Sequence, residues 1–428
     1  MKNVVIVDGI RTPFIKFGTD FKDIPAHELG AFAARELLEK LDFNPEELDE
    51  VIIGNVAQPP EAINIARNIA LLAGIPQNIP AFSVQRNCVS SMEAISEAWY
   101  RIQAGHGIAY LCGGVESMSK IPLFLNSQAA EWIGKLYKAK SIGRRLALFT
   151  KIKMSFFKPV VGLQLGLTDG YSGLNMGETA EILAREFKIS RGEQDQYSME
   201  SHIKAEKAMK NGILAEEIMP VPIPPQYDQI ISMDNGIRPG QSMEALAKLK
   251  PVFDRYNGTV TAGNSSQITD GAVMLLVMEE DRARSMGYQP LGRINTFAYA
   301  ALDPSKMGLG PIYSTLKALN HSGMKMKDIQ LIEMNEAFAA QILANLRIFD
   351  SKELSNEYLG LDHALGTIDP SILNVNGGAI ALGHPVGASA GRLTLTLLKQ
   401  MKRTGKETGV ATLCAGGGQG ATFIFENI

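Results

Sequence analysis

The strongest constraint on the fold is that the chain repeats itself. PEELDEVIIGNVA, from Pro45, aligns without a gap on KMKDIQLIEMNEA, from Lys325, and GIAYLCGGVESMS, from Gly107, aligns on GVATLCAGGGQGA, from Gly409. Both matches occur in the same order, and they set Asn55 over Asn335 and Cys112 over Cys414. A duplicated α/β unit of this kind forms a pseudo-two-fold pair, so equivalent element ends face each other across one shared site.

Hydrophobic spacing gives the content of the repeat. In the first part, Val4 to Val7 predicts a strand, His27 to Leu41 a helix, Glu50 to Gly54 a strand and Ala62 to Ala73 a helix. Ala81 to Val84 then leads into a helix from about Val89, and Ile108 to Cys112 is a further strand. Strands alternating with helices imply α/β architecture, with a parallel or mixed sheet covered by helices. From about Lys120 to Lys250 the alternation stops, prolines cluster in VPIPPQYD, and Ser190 with Glu193 forms a capping box for a helix. The expected domains are therefore 1–119 with 252–280 as the first half, 120–251 as an inserted loop or substrate-binding domain, and 281–428 as the second half.

Composition excludes several function classes. The net charge of -3 and pI near 6.1 give no basis for nucleic acid as a partner. Three cysteines with no CxxC argue against a disulfide framework or structural zinc, and for a reducing, cytoplasmic location. The first residues, MKNVVIVDGIRTPF, lack the apolar run and cleavage site of a signal peptide, and no stretch approaches a membrane span. One segment stands apart: Trp132 to Val160 carries eight Lys or Arg and no acidic residue, interleaved with large apolar side chains. A solvated basic face is the plain reading, and a surface for a partner subunit, an anionic membrane face or an acyl-CoA is the sharper one.

Four residues carry the candidate chemistry. Cys88 sits where a strand becomes a helix, among Asn87, Ser90 and Ser91, so the helix dipole favours its thiolate; Cys112 reads as an inert buried thiol. His384 precedes Pro385, which holds it extended just before a helix, and the alternating apolar residues ahead of it predict a strand that delivers the imidazole. Cys414 ends a strand and runs into AGGGQG, a turn whose amides suit an oxyanion, and Asn335 ends another strand. A cysteine nucleophile can carry an acyl group, and a second thiol can move a proton on a carbon beside a carbonyl. Together with an imidazole, they provide what making or breaking a carbon-carbon bond beside a thioester requires.

Other motif readings fail on context. GASAG, from Gly387 to Gly391, fits a serine-hydrolase elbow, but no histidine follows Ser389 in the chain. AGGGQG is followed by a strand, so it is no dinucleotide loop. A decarboxylating ketoacyl synthase would want a second histidine where Cys414 stands. A non-catalytic acyl-CoA or lipid-binding protein would be expected to have lost a reactive residue, and none is lost.

The chain resembles the thiolases, acetyl-CoA acyltransferases, over essentially its whole length. The motifs are NCVSS at Asn87, GGVESMS at Gly113, TVTAGNSSQITDGA at Thr259, NEAF at Asn335, GGAIALGHPVGASAGR at Gly377 and CAGGGQG at Cys414, in the family order. The resemblance implies the thiolase fold, duplicated halves layered α-β-α-β-α with an inserted loop domain. It further implies that Cys88 takes the acyl group, His384 activates it, and Cys414 moves the proton of the acetyl-CoA alpha carbon. Asn335 would hold a water in one oxyanion hole with His384, and the amides of Cys88 and Gly416 would form the other. Ser266 matches a position that contacts the pantetheine of CoA, and Arg238 one near its adenine. Coenzyme A is then a substrate, and no cofactor or metal is implied.

PEAINIARNIA, NGIRPGQSMEALAKLKPVFDR and the basic segment resemble the long-chain 3-ketoacyl-CoA thiolases that form the beta subunit of fatty-acid-oxidation complexes. That subgroup usually carries histidine where this chain has Asn335, the residue of ordinary thiolases. The resemblance implies 3-ketoacyl-CoA cleavage, with acetoacetyl-CoA-forming acetyl transfer as the alternative. The implied assembly is a homodimer or tetramer, or a hetero-oligomer with a multifunctional beta-oxidation subunit, with peripheral membrane contact through 132–160.

Overall fold

A computed structural model describes residues 2–428. The repeat seen in the sequence becomes two matching half-sheets. The first is built from β1 (Val4–Arg11), β2 (Glu50–Gly54), β3 (Ala81–Val84), β4 (Ala109–Glu116) and β5 (Thr269–Glu279). The second is built from β6 (Gly292–Ala301), β7 (Leu331–Met334), β8 (Thr408–Ala415) and β9 (Gln419–Glu426). β4 lies between antiparallel β5 and parallel β2, and β8 lies between antiparallel β9 and parallel β7. The half-sheets join where β1 meets β6, and only two residue pairs make that seam, Val5 with Arg293 and Ile6 with Gly292.

Side-chain alternation along these strands feeds three cores. On β5, Met274 and Leu276 face the core under α1 (Ala26–Lys40) and α2 (Ile65–Leu72), while Val273, Leu275 and Val277 face the middle of the molecule. On β9, Ile424 faces the outer core with α6 (Gly310–Ser322) and α7 (Ala339–Asp350), while Phe423 and Phe425 face the middle. The middle core is filled by α3 (Ser90–Ala104) and α8 (Ser389–Thr404), one from each half, each closed by a left-handed glycine, Gly105 and Gly405. The order is thus α-β-α-β-α. Strands covered on both faces explain why Val4 to Val7 and Ala272 to Met278 read as unbroken apolar runs.

The central helices approach closely because small residues line their contact. Gly391 N–H donates to Ser91 Oγ at 2.7 Å, and a methyl on Gly114 would sit 2.0 Å from the Gly387 carbonyl oxygen. Outside this body, Ile121–Thr168 forms a separate compact unit, while 169–251 packs with the main body. Within the main body, α4 (Met176–Glu186) and α5 (Arg191–Lys210) both start at capping boxes, the latter at Ser190 and Glu193 as expected.

The separate unit is a pair of helices, Ser127–Lys138 and Ile142–Phe149, with Leu123–Phe124 laddered to Val160–Val161. Trp132 is its core: Nε1 donates to the Leu148 carbonyl at 2.9 Å, and its ring packs on Phe149 and Phe156. Tyr137, Ile142, Leu146, Met154 and Phe157 are exposed, and Lys135, Lys138, Arg144 and Lys151 line a cavity of about 380 Å³.

Crowding at Gly114 gives a direct test of the central packing. Gly114→Ala is expected to lower the thermal midpoint by several degrees, the effect of about 1–3 kcal/mol of overpacking. Gly134→Ala, where nothing lies within 4 Å of the added carbon, should leave it unchanged. Equal midpoints for the two variants by scanning calorimetry would contradict the close approach.

Candidate active site

Cys88 follows β3 and stands two residues ahead of α3, behind Asn87, whose φ of 47° is left-handed. Asparagine tolerates that conformation better than other side chains, and it turns the thiol out of the strand direction. Asn87 Nδ2 also donates to the Gly416 carbonyl at 2.7 Å, which ties this turn to the glycine loop after β8. The amides of Gly416 and of Cys88 itself both point at the Cys88 sulfur. Cys414, the penultimate residue of β8, places its sulfur near enough to that of Cys88 for a thiolate at Cys88 to disfavour ionisation of Cys414.

The imidazole arrives differently from the expectation. Ala379–Leu382 is a single helical turn, not a strand, because Glu336 reaches into it: its carboxylate accepts from Ile380 N–H at 3.2 Å and fills the space where Gly378 would carry a side chain. Gly383 then takes φ 105°, with Thr269 packed 2.3 Å from where a Cβ would lie, so only glycine serves there. His384 N–H donates to the Gln267 carbonyl at 3.0 Å, and Pro385 starts the turn that leads into α8.

Two hydrogen bonds fix the ring. Ser389 Oγ is 2.5 Å from His384 Nδ1 and 3.0 Å from the Pro385 carbonyl. With the hydroxyl donating to that carbonyl, Nδ1 carries the ring proton and Nε2 is bare; the tautomer is assigned from this network. Asn335 Nδ2 lies 3.5 Å from Nε2, and Asn335 N–H donates to Thr412 on β8, two residues before Cys414. Asn335 Oδ1 is buried without a partner among the described residues.

Burial sets the resting charges. The Cys88 thiol, although part of the residue remains accessible, is raised to about 11, chiefly by desolvation, with the Gly416 and Cys88 amides opposing. The main-chain amides favour the thiolate, in the direction expected of the helix start, but burial outweighs them. Cys414 is pushed up further, by burial and by the neighbouring sulfur. His384 is lowered to about 4 by burial and by the charge of Arg392, so the ring is neutral at pH 7. The site holds two thiols and a free imidazole lone pair, an acid-base set rather than a standing ion pair.

The chain matches the family described as thiolase, N-terminal domain, over residues 4–281 and thiolase, C-terminal domain, over residues 288–427. This chain belongs to the thiolase family. It is 41% identical to the 3-ketoacyl-CoA thiolase of Pseudoalteromonas translucida (strain TAC 125), over 99% of this chain and 97% of that one. The 3-ketoacyl-CoA thiolase of Colwellia psychrerythraea (strain 34H / ATCC BAA-681) is 42% identical, again over 99% of this chain and 97% of the relative. Among solved structures, human mitochondrial 3-ketoacyl-CoA thiolase superposes with a TM-score of 0.86 at 35% identity, covering 100% of this chain and 99% of that one. Bacillus anthracis acetyl-CoA acetyltransferase gives a TM-score of 0.87 at 35% identity, with coverage of 100% and 99%.

In this thiolase, Cys88, Cys414, Gly416, Asn335 and His384 are linked through the contacts above. Ser266 borders them, its N–H donating to the Ala337 carbonyl at 2.9 Å, one residue from the Gln267 that anchors His384. Arg238 lies farther out, two residues beyond Gly236, whose carbonyl accepts from Gln267 Nε2 at 2.9 Å. Cys112 is fully buried and bonded to the Ala94 carbonyl, apart from the reactive set.

Sequence reading missed the supporting residues. In the sequence Ser389 suggests only a nucleophile, and its five-residue spacing after His384 is the signal for its bond to the ring. Glu336 accepts from Tyr197, Ser201, Asn374 and Ile380, and Glu116 accepts from Asn55, Val56, Ala57 and Gly387. Both are buried carboxylates inside motifs already noticed, NEAF and GGVESMS. Burial holds Glu116 up, to about 7, against those four N–H donors.

Because Cys88 rests as a thiol, its alkylation rate by iodoacetamide should keep rising with pH beyond pH 8, by roughly tenfold per unit while the thiol stays protonated. Cys112 should stay unlabelled in the native protein. A plateau below pH 7, measured by peptide mass spectrometry, would show a preformed thiolate and contradict the assignment.

Proposed function

We propose that this chain is a 3-ketoacyl-CoA thiolase, cleaving 3-ketoacyl-CoA with CoA to give acetyl-CoA and a shortened acyl-CoA. The observation that carries the reading is the approach of two sulfurs, that of Cys88 ahead of α3 beneath two converging amides and that of Cys414 on β8, together with a neutral histidine ahead of α8. His384 Nε2 takes the Cys88 proton, and the sulfur attacks the C3 ketone of the substrate. The oxyanion is met by the amides of Cys88 and Gly416. The C2–C3 bond then breaks, its electron pair passes to C2, and Cys414 gives C2 its proton, so acetyl-CoA leaves and the acyl group stays on Cys88 as a thioester. While C2 carries charge, its thioester oxygen faces Asn335, through a water, and the now protonated His384 Nε2.

In the second half-reaction Cys414, now a thiolate, removes the proton of the incoming CoA thiol, and that sulfur displaces Cys88 from the acyl group. Cys88 recovers its proton from His384. Neither thiol needs to be ionised at rest, because each accepts or gives its proton only when the other partner is bound. CoA is a substrate and no cofactor takes part. Ser266 borders the pantetheine arm and Arg238 the adenine end. Residues 1–119 with 252–280, 120–251 and 281–428 act as two halves and an insertion, and the reducing cytoplasm keeps the thiols free.

The relatives at 41–42% identity over 99% of the chain are 3-ketoacyl-CoA thiolases, which supports ketoacyl cleavage; the two solved structures, one of each activity, both stand at 35% and do not separate them. The enzyme works as a homodimer or tetramer, or with a multifunctional beta-oxidation subunit. In that case the apolar and basic surface of 132–160 is the docking or membrane-facing side, on the strength of its eight cations with no acidic residue among them and its exposed Tyr137, Ile142 and Phe157.

Mixing with a 3-ketoacyl-CoA should leave an acyl adduct on the Cys88 peptide by mass spectrometry. Cys414→Ala should retain part of the acetyl transfer from acetyl-CoA onto Cys88 while losing cleavage by about 10³-fold or more, the scale of removing a positioned acid or base. Equal loss of both steps would contradict the separate roles of the two thiols. Rates across a chain-length series of 3-ketoacyl-CoA substrates decide between the two activities: a preference confined to the four-carbon substrate would favour the acetyltransferase.

A further inference from the structure

Arg392 is one of the two largest fully buried side chains, yet it is sparsely partnered. Nη1 donates to Glu333 Oε2 at 2.9 Å, with the two side chains 0% and 3% exposed. Its Nε and Nη2 meet no hydrogen-bond partner among the described residues. Arg11, the other large buried cation, is by contrast bidentate to Asp234 and bonded to Glu217. A buried guanidinium with two idle donors is costly, and its retention beside a reactive centre asks for a reason.

Its position supplies one. Arg392 lies three residues beyond Ser389 on α8, one helical turn from the hydroxyl that orients His384 Nδ1. Glu333 lies on β7, two residues before Asn335, whose amide faces His384 Nε2. The ion pair therefore closes a ring: imidazole, Ser389, α8, Arg392, Glu333, β7, Asn335 and back to the imidazole. It is the only charged link in that ring.

We propose that Arg392 is a positioning residue for His384, holding the ring between Ser389 and Asn335 and, by its under-compensated positive charge, keeping it a neutral base. This rests on the reading of His384 as the base for Cys88. The other titratable groups about the His384 loop and the Arg392 pair are Glu333 and Glu336 at β7, Glu116 at the end of β4, Glu217, which accepts from Thr396 on α8 and is itself paired with Arg11, and the thiols of Cys88 and Cys414. Burial raises Glu333 while Arg392 opposes it, so the guanidinium is balanced only in part, at its single carboxylate contact. The direction of the effect at His384 agrees, since Arg392 is the one charge that lowers it.

The test is the acid limb of kcat/KM for thiolysis in the full-length enzyme, measured from about pH 3 upward for the parent and three variants. Arg392→Met should move the limb up by about one unit or more, with KM for the acyl-CoA within about twofold of the parent. Arg392→Lys, which keeps a charge, should leave the limb where it was. Glu333→Gln keeps the guanidinium and should leave the limb in place or lower it. An upward shift shared by Glu333→Gln and Arg392→Met, or a uniform loss of rate with unmoved limbs, would overturn the proposal in favour of a purely structural pair. Should Arg392→Met not fold, the paired replacement of Arg392 and Glu333 by Met removes both buried charges and carries the same expectation. His384→Ala separates the two readings: native-rate acylation of Cys88 in that variant would remove the base assignment itself.

Discussion

The structure depends on a single close contact in its middle layer. α3 and α8 are each other's cover between the half-sheets: Gly391 on α8 donates to Ser91 Oγ on α3, and Gly114 on β4 leaves room for the Gly387 backbone just ahead of α8. Since Cys88 precedes α3 and His384 precedes α8, the same contact brings the two reactive loops together. Cys414 and Asn335 come from neighbouring parallel strands of the second half, β8 and β7, and reach the same end of the sheet. The site is thus a product of the duplication: two repeats that cannot bury their inner helices alone share them, and the shared layer ends in the chemistry.

That burial also dictates the form of the chemistry. Desolvation opposes the charged state of every reactive group, lifting both thiols and lowering the histidine. A preformed thiolate-imidazolium pair would need stronger local compensation than two amides and a distant guanidinium supply. Protons therefore move in step with the substrate in the proposed cycle, and the amides, already aimed at the Cys88 sulfur, need no reorganisation when charge develops beside it. The buried carboxylates Glu336 and Glu116 act one layer out, where each gathers four donors from separate segments and holds the His384 turn and the Gly387 backbone in place.

Much of this was legible before any coordinates. The gap-free repeat set Asn55 over Asn335, and each directly follows the matching strand, β2 or β7; the cysteine match does not carry over, since Cys112 stands opposite Ile52 in the middle of β4 while Cys414 lies near the end of β8, beyond its last pairing with β7. The apolar runs of β1 and β5 and the capping box at Ser190 also read correctly, because their signals are local. What sequence could not carry was set by distant partners. The segment before His384 has strand-like alternation, yet a carboxylate from NEAF folds it into a helical turn. The Cys88 thiol sits where a helix dipole should favour ionisation, yet the bulk of surrounding protein outweighs it. Ser389 and Arg392 lie in a motif that had been noticed, but their partners are on other elements.

The claim on which the account turns is that Cys88 and Cys414 open onto one site. Dibromoacetone, a short bifunctional alkylating agent, measures this directly in the native protein. The account predicts one bridge per chain joining the Cys88 and Cys414 peptides, each sulfur displacing one bromide, and protection of both by an acyl-CoA. Monoalkylation of Cys88 with Cys414 left untouched, or a bridge that includes Cys112, would contradict it.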